Sequence, residues 1–235
     1  FSLPQIVSSF SPSGLARVRT LFSLLTEDLV EMAPIEAELA KLFSNAWRYI
    51  KFAVANQYYM IASELGADFD SIYHGMTHNY PRAVDLPTPG FAAGPCLFKD
   101  TMQLAAFSKT HFFLGHAAML VNEGLPQHVV NLVKRSHGDL ASKTVGILGM
   151  AFKANVDDSR DSLSYKLKDL LELEAREVLC SDYYLHEPGL VETNELVERS
   201  DIIIIGTPHS PYKQLDFGAK PVFDLWNLRG EGTSS

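Results

Sequence analysis

Cysteine is scarce. Cys96 and Cys180 are the only two in 235 residues and stand far apart, so no disulfide framework is expected and a reducing compartment such as the cytoplasm is the natural setting. Positive charge is also short: 20 Lys+Arg against 28 Asp+Glu leave a net charge of −8. A broad basic surface of the kind that neutralises a nucleic-acid backbone is therefore not expected, although one lysine in a cleft still suffices for a small anion. Long apolar runs are missing as well. Stretches such as Ile202–Ile205 fall far below the roughly 20 residues that a membrane helix needs, and residues 1–10 lack the basic start and apolar core of a signal peptide. The GxGxxG dinucleotide spacing is absent too. What remains is an ordinary globular composition, 46% hydrophobic, 20% charged and 11% aromatic, in a length that suits one large domain or two small ones.

The hydrophobic period divides the chain. Leu3–Val7 reads as a short strand, and Ser11, Pro12 and Ser13 open a helix over about 14–25. A strand and helix this isolated, in a chain that starts with Phe1, are expected to be the remnant of a further domain over 1–33, with a native hairpin-like cap as the alternative. From Pro34 to about Leu65, Ile35, Leu39, Leu42, Ala46, Ile50, Ala53 and Ile61 recur at helical steps, which predicts one long helix of the sort that bridges domains or subunits. Between Met76 and Cys96 the pattern gives way to a proline- and glycine-rich loop. Asp100, with Gln103 three residues on, reads as the capping box of a helix reaching about Asn122, and Pro126 as the start of another over 127–135. After His137 the period changes. Short apolar runs at 144–148, 177–180, 201–205 and 221–224 alternate with helical stretches near 162–174 and 192–199, which implies βαβ units wound into a parallel sheet. The expected architecture is thus α plus α/β: a helical domain over 34–138, then a doubly wound Rossmann-like domain over 141–230. The polar residues after Gly230 are expected to fray.

Several residues are candidates for chemistry. Cys96 ends the glycine-rich loop beside Lys99 at a helix N-terminus, a setting that favours a thiolate nucleophile; an inert buried thiol is the alternative. Glu38, Lys41, Asn45, Arg48 and Asn56 form one polar stripe of the long helix, either functional or simply solvated. Phe152-Lys153 and Asp157-Asp158-Ser159-Arg160 follow the first strand of the sheet, where doubly wound folds bind ligands; a salt-bridged loop explains them equally well. Asp182, at the end of the second strand, suits a ribose contact or a turn, and His209 reads as a loop histidine.

Taken in order, Ala37-Glu38-Leu39-Ala40-Lys41 with Asn45, Gly90-Phe91-Ala92-Ala93-Gly94-Pro95-Cys96-Leu97-Phe98-Lys99-Asp100, and Gly146-Ile147-Leu148-Gly149 followed by Phe152-Lys153 and Asp158-Ser159-Arg160-Asp161-Ser162 resemble the central and C-terminal portions of the UDP-glucose/GDP-mannose dehydrogenase family. The resemblance implies an NAD-dependent oxidation of a UDP-sugar C6 alcohol to a uronic acid through a cysteine thiohemiacetal and thioester. Cys96 would be the nucleophile, with Lys41, Asn45 and Asp100 around the reacting carbon. Pro89, Gly90, Phe91, Gly94, Phe152 and Lys153 would line the substrate pocket, Lys99 and Arg160 would lie toward NAD, and Arg82 would reach a neighbouring subunit's substrate in a homodimer built on the long helix. The main NAD site would belong to an N-terminal domain outside this sequence, leaving the chain inactive by itself. One departure concerns Asp224-Leu225-Trp226, where the family pattern D-x-R has arginine in place of Trp226; UDP and GDP stay open as the nucleotide. A non-enzymatic nucleotide-binding and dimerisation module, or a 3-hydroxyacid-type dehydrogenase, are the alternatives.

Overall fold

A computed structural model describes residues 3–108 and 112–230; the tail expected to fray after Gly230 lies outside them. The chain divides into two compact units, Phe1–Trp47 and Arg48–Ser235.

In the first unit, β1 (Gln5–Val7) and β2 (Leu29–Glu31) pair in parallel, joined by α1 (Pro12–Phe22). This corrects two expectations. The pairing is a βαβ crossover and not a hairpin, and α1 begins at Pro12 because the Ser11 hydroxyl accepts the Gly14 N–H at 3.1 Å and caps the helix, with proline at a first-turn position that has no N–H to lose. Strand β2 was not anticipated. The division between the units falls within α2 (Pro34–Glu64), the long helix that the periodicity predicts.

The second unit continues with α3 (Phe69–Thr77), α4 (Leu97–Phe107) and α5 (Phe113–His137). Three boundaries differ from the sequence reading. The helix expected to reach about Asn122 ends at Phe107, and α5 begins at Phe113. Asp100 is not a cap: α4 starts three residues earlier, with Cys96 at the N-cap position, and Asp100 is buried in the first turn. Pro126 does not open a helix but lies inside α5. It forgoes one backbone bond to the Asn122 carbonyl, a cost of about 3 kcal/mol or more, which burial of Leu125, Val129, Val130 and Val133 against the sheet side of the core offsets.

The sheet follows as β3 (Thr144–Leu148), α6 (Leu163–Glu172), β4 (Glu177–Ser181), α7 (Thr193–Arg199), β5 (Ile202–Ile205), a 3-10 turn (Ser210–Gln214) and β6 (Val222–Phe223). All four strands are parallel in the order β4-β3-β5-β6. Alternate residues point to opposite faces, and both faces are buried. Val145, Ile147, Ile202 and Ile204 join the core containing α5 and α6, whereas Leu148, Ile203 and Ile205 join Leu196 of α7 and Tyr212 of the 3-10 turn. Continuous apolar strands are what a sheet covered on both faces requires. The protein is therefore a helical layer joined to a Rossmann-like parallel sheet. Among the described residues no helix is long and apolar enough to cross a membrane.

Candidate functional site

The loop that carries Cys96 has no regular structure of its own, so its shape depends on what holds it. Asn56, wholly buried on α2, clamps it with both ends of one amide: Oδ1 accepts the Gly90 N–H at 2.8 Å and Nδ2 donates to the Gly90 carbonyl at 3.0 Å. The second N–H of the same amide goes to Asn122 Oδ1 at 2.9 Å, and Asn122 Nδ2 donates to the Tyr49 carbonyl at 3.0 Å. Buried amides are stable only when every group is paired, and this chain of bonds ties α2, α5 and the loop together. The polar stripe of the long helix is therefore not simply solvated, since Asn45 and Asn56 are buried while Lys41 and Arg48 are exposed.

Two aromatic rings hold the loop from the side of the sheet. Trp226 lies against Gly90 so closely that a Cβ there would overlap its ring, and the indole N–H donates to the Gly206 carbonyl at 3.1 Å. Phe152 lies against Gly94, where a Cβ would stand 2.6 Å from Cδ2. Both glycines have positive φ, +154° and +101°, which side-chain-bearing residues rarely adopt. Gly94 also donates its N–H to the Asp161 carbonyl at 3.4 Å.

Held in this way, the loop delivers Cys96 to the first turn of α4. Its backbone carbonyl accepts the Asp100 N–H at 3.0 Å, its thiol makes no capping bond, and the residue is exposed. Cys180 is the opposite case: it is buried in β4, and burial pushes its thiol up to about 11. Lys99 turns to Asp100 at 3.2 Å, in a pair whose lysine is mostly exposed and which therefore contributes little to stability. Arg160 is forked on Asp158 at 2.7 Å and 3.0 Å. These bonds raise its own pKa and hold the Asp158 carboxyl down at about 2. So Gly90 against Trp226 and Gly94 against Phe152 are two close contacts along the loop that ends at Cys96. Pro89 and Phe91 are buried in the same loop, whereas Lys153 is exposed without an ion pair among the described residues. Arg82 is exposed in the turns after α3, and Lys41 and Asn45 lie one helical turn apart on α2.

A second polar cluster follows β3 and was not foreseen. The N–H groups of Met150 and Ala151 donate to Asp182 Oδ2 at 2.6 and 2.9 Å, and those of Tyr184 and Leu185 donate to Oδ1. His209 lies in the loop before the 3-10 turn, as the sequence suggests, but it is wholly buried. Its Nδ1 accepts the Asn155 N–H at 2.8 Å, so the network assigns the ring proton to Nε2, which faces Asp182 at 3.0 Å. Burial pushes the Asp182 carboxyl up, but the bonds from His209 and the backbone outweigh it and hold it at about 2. With the Gly149 N–H given to the Ser181 carbonyl, residues 149–151 keep no free donor for a phosphate. This turn therefore does not fit a dinucleotide, nor does Asp182 have an oxygen to offer a ribose.

A nucleotide-fold sheet that closes its own glycine turn, and supports a cysteine loop from a helical layer, defines the class of protein. Known proteins agree. Residues 35–124 match the central domain of the UDP-glucose/GDP-mannose dehydrogenase family, and residues 146–230 match the family's UDP binding domain. The chain belongs to this family. It is 30% identical over 188 residues to a UDP-N-acetyl-D-mannosamine dehydrogenase of Pyrococcus horikoshii, covering 77% of this chain and 44% of the relative. An NDP-N-acetyl-D-galactosaminuronic acid dehydrogenase of Ralstonia solanacearum is 28% identical over 90% of this chain and 52% of its own. Among solved structures, a UDP-glucose dehydrogenase of Pyrobaculum islandicum superposes with a TM-score of 0.82 at 25% identity, over 94% of this chain and 54% of that one. The chain thus spans about half the length of the relatives it matches.

Proposed function

We propose that this chain forms the substrate-side half of an NAD-dependent nucleotide-sugar 6-dehydrogenase that converts a UDP-sugar to its uronic acid in two oxidations. The observation that supports it best is the position of Cys96: exposed, at the start of α4, on a loop fixed by Asn56, Trp226 and Phe152. NAD is the oxidant this reading implies. Its main site is proposed to lie outside the described residues, so only the chemistry of the chain's own side chains is derived.

The Cys96 thiolate adds to the C6 carbonyl carbon of the intermediate aldehyde and forms a thiohemiacetal, which covalently retains a reactive species. Once that adduct is oxidised to a thioester, water attacks the acyl carbon, the C–S bond breaks, and the acid leaves with the thiolate restored. Lys41 is proposed to stabilise the oxyanions, and Asn45 with Asp100 to hold the water and its protons. These roles rest on the motifs. Pro89, Gly90, Phe91, Gly94 and Phe152 would border the substrate, and Lys153, exposed and with no ion pair among the described residues, would meet the diphosphate. Lys99 and Arg160 would lie toward NAD, and Arg82 toward a neighbouring subunit's substrate. The proposed domains are 34–138 and 141–230, preceded by the end of a cofactor domain. A homodimer is part of the proposal. Ile50, Val54 and Tyr58 of α2 and Leu114 and Val121 of α5 border an open apolar groove of about 220 Å³ that suits a second copy.

Alkylation and calorimetry on the folded chain test this reading. Cys96 is expected to react first and Cys180 only on unfolding. UDP-glucose is expected to bind weakly, with Lys153→Ala abolishing it and no NADH formed by the chain alone. Preferential labelling of Cys180, or UDP-glucose binding indifferent to Lys153→Ala, would overturn it.

A further inference from the structure

We infer that Asn155 is a positioning residue, which fixes the exposed Lys153 at the carboxyl end of the sheet by tying the loop after β3 to the loop after β5; its role rests on Lys153 meeting the substrate's diphosphate, as proposed above. Lys153 is exposed and has no ion pair among the described residues. A lysine of this kind favours binding only as far as its backbone is already in place, because every loop or side chain ordered on binding lowers affinity.

The loop is pinned on both sides of Lys153. Before it, the Ala151 carbonyl accepts the hydroxyls of Thr207 and Ser162 at 2.5 and 3.2 Å, and Phe152 donates its N–H to the Asp158 carbonyl at 2.9 Å while its ring lies against Gly94. After it, Asn155 reaches across to the segment that follows β5. Its backbone N–H goes to His209 Nδ1 at 2.8 Å, its Nδ2 donates to Ser210 Oγ at 2.9 Å, and its Oδ1 accepts the Ser210 N–H at 2.9 Å. The Tyr184 hydroxyl, from the loop after β4, donates to the same Oδ1 at 3.4 Å. Only Lys153 and Ala154 lie between the pinned residues Phe152 and Asn155.

Two features set Asn155 apart from an ordinary turn asparagine. The residue is exposed, a place where water satisfies an amide, and yet both ends of its amide are bonded to Ser210. Its φ is +58°, a left-handed conformation in which asparagine is enriched among side-chain-bearing residues, and such conformations persist where the surroundings over-determine them. Glycine would supply the same φ without the side-chain bonds. The conformation alone therefore does not call for asparagine; the joining of the Lys153 loop to Ser210 does.

Titration of the 235-residue chain with UDP-glucose, followed by protein NMR at several salt concentrations, tests the assignment. Asn155→Gly keeps the backbone conformation and removes the clamp. We expect it to weaken UDP-glucose binding about tenfold and to flatten the salt dependence of what remains, since a lysine–phosphate contact is screened by salt, while the urea midpoint stays close to the parent's. Should this variant fail to fold, Ser210→Ala, which removes the Oγ partner alone, carries the same expectations at smaller size. Binding indifferent to Lys153→Ala would overturn the role of Lys153 and the inference with it. Binding lost in Lys153→Ala but unchanged in Asn155→Gly and Ser210→Ala would overturn the inference alone, as would weaker binding that kept the parent's salt dependence.

Discussion

Two glycine-bearing turns of this protein meet opposite fates. At the turn after β3 the backbone donors face Asp182, and a buried histidine and two further N–H groups complete the circle, so the protein's own carboxylate occupies the place of an anion. In the Gly90–Cys96 loop Asn56 clamps Gly90 and the Gly94 N–H reaches the Asp161 carbonyl, but the last residue presents an exposed thiol. The contrast separates a structural turn from a reactive one. Saturation of polar groups rigidifies, and an exposed thiol at a helix start that makes no capping bond is what a covalent reaction needs. The resemblance in sequence is strong in both places; only the bonding tells them apart.

The largest expected effect comes from the open loop. Gly90→Ala would force a Cβ into the Trp226 ring at a φ of +154°, and we expect a loss of about 3 kcal/mol or more in urea unfolding. If the loop is positioned as described, alkylation of Cys96 will change with it while Cys180 stays protected. A Gly90→Ala chain as stable as the parent would break the comparison, because the loop would then not be held where these contacts place it.

Much of this was legible beforehand, and the exceptions have physical causes. The long helix, the four strands of the main sheet and the loop ending at Cys96 follow from period and composition. Pro126 misleads because proline marks a helix start only where its missing N–H is missing anyway, whereas in α5 buried packing overrides that rule. Asp100 misleads because a capping pattern also fits a helix already one turn old. Asn56 reads as one polar residue in a stripe, and nothing local shows that its partner is Gly90, 34 positions away. His209 and Asp182 likewise become partners only through the fold, across 27 positions.

The closed turn gives the next effect. The Asp182 carboxyl titrates near 2 in the folded chain against about 3.9 when unfolded. Its pKa is depressed by folding, so its contribution is fully present above about pH 4 and is lost as the pH falls toward 2, amounting to about 2–3 kcal/mol. Asp182→Asn should therefore be clearly less stable than the parent near neutrality, with the gap narrowing through that acid window. Unfolding curves taken at several pH values read this directly, and a gap that is constant with pH would show that the carboxylate charge is not what closes the turn.

The smallest expected effect joins the two regions. Trp226 touches Gly90 with its ring and Gly206, at the end of β5, with its indole N–H. Trp226→Phe keeps an aromatic plate against the loop but removes the bond to the sheet, and leaves a buried carbonyl with one acceptor unfilled. We expect a loss of about 1 kcal/mol, with Cys96 alkylation close to that of the parent because the loop's clamp to Asn56 is untouched. Trp226→Arg removes the plate as well and supplies the side chain that the family pattern has at this position. If the ring is what supports the loop, Trp226→Arg will be the less stable of the two and will alter Cys96 alkylation where Trp226→Phe does not. Equal behaviour of the two variants would assign the support to Asn56 alone, and would leave the sheet without a mechanical part in placing the thiol.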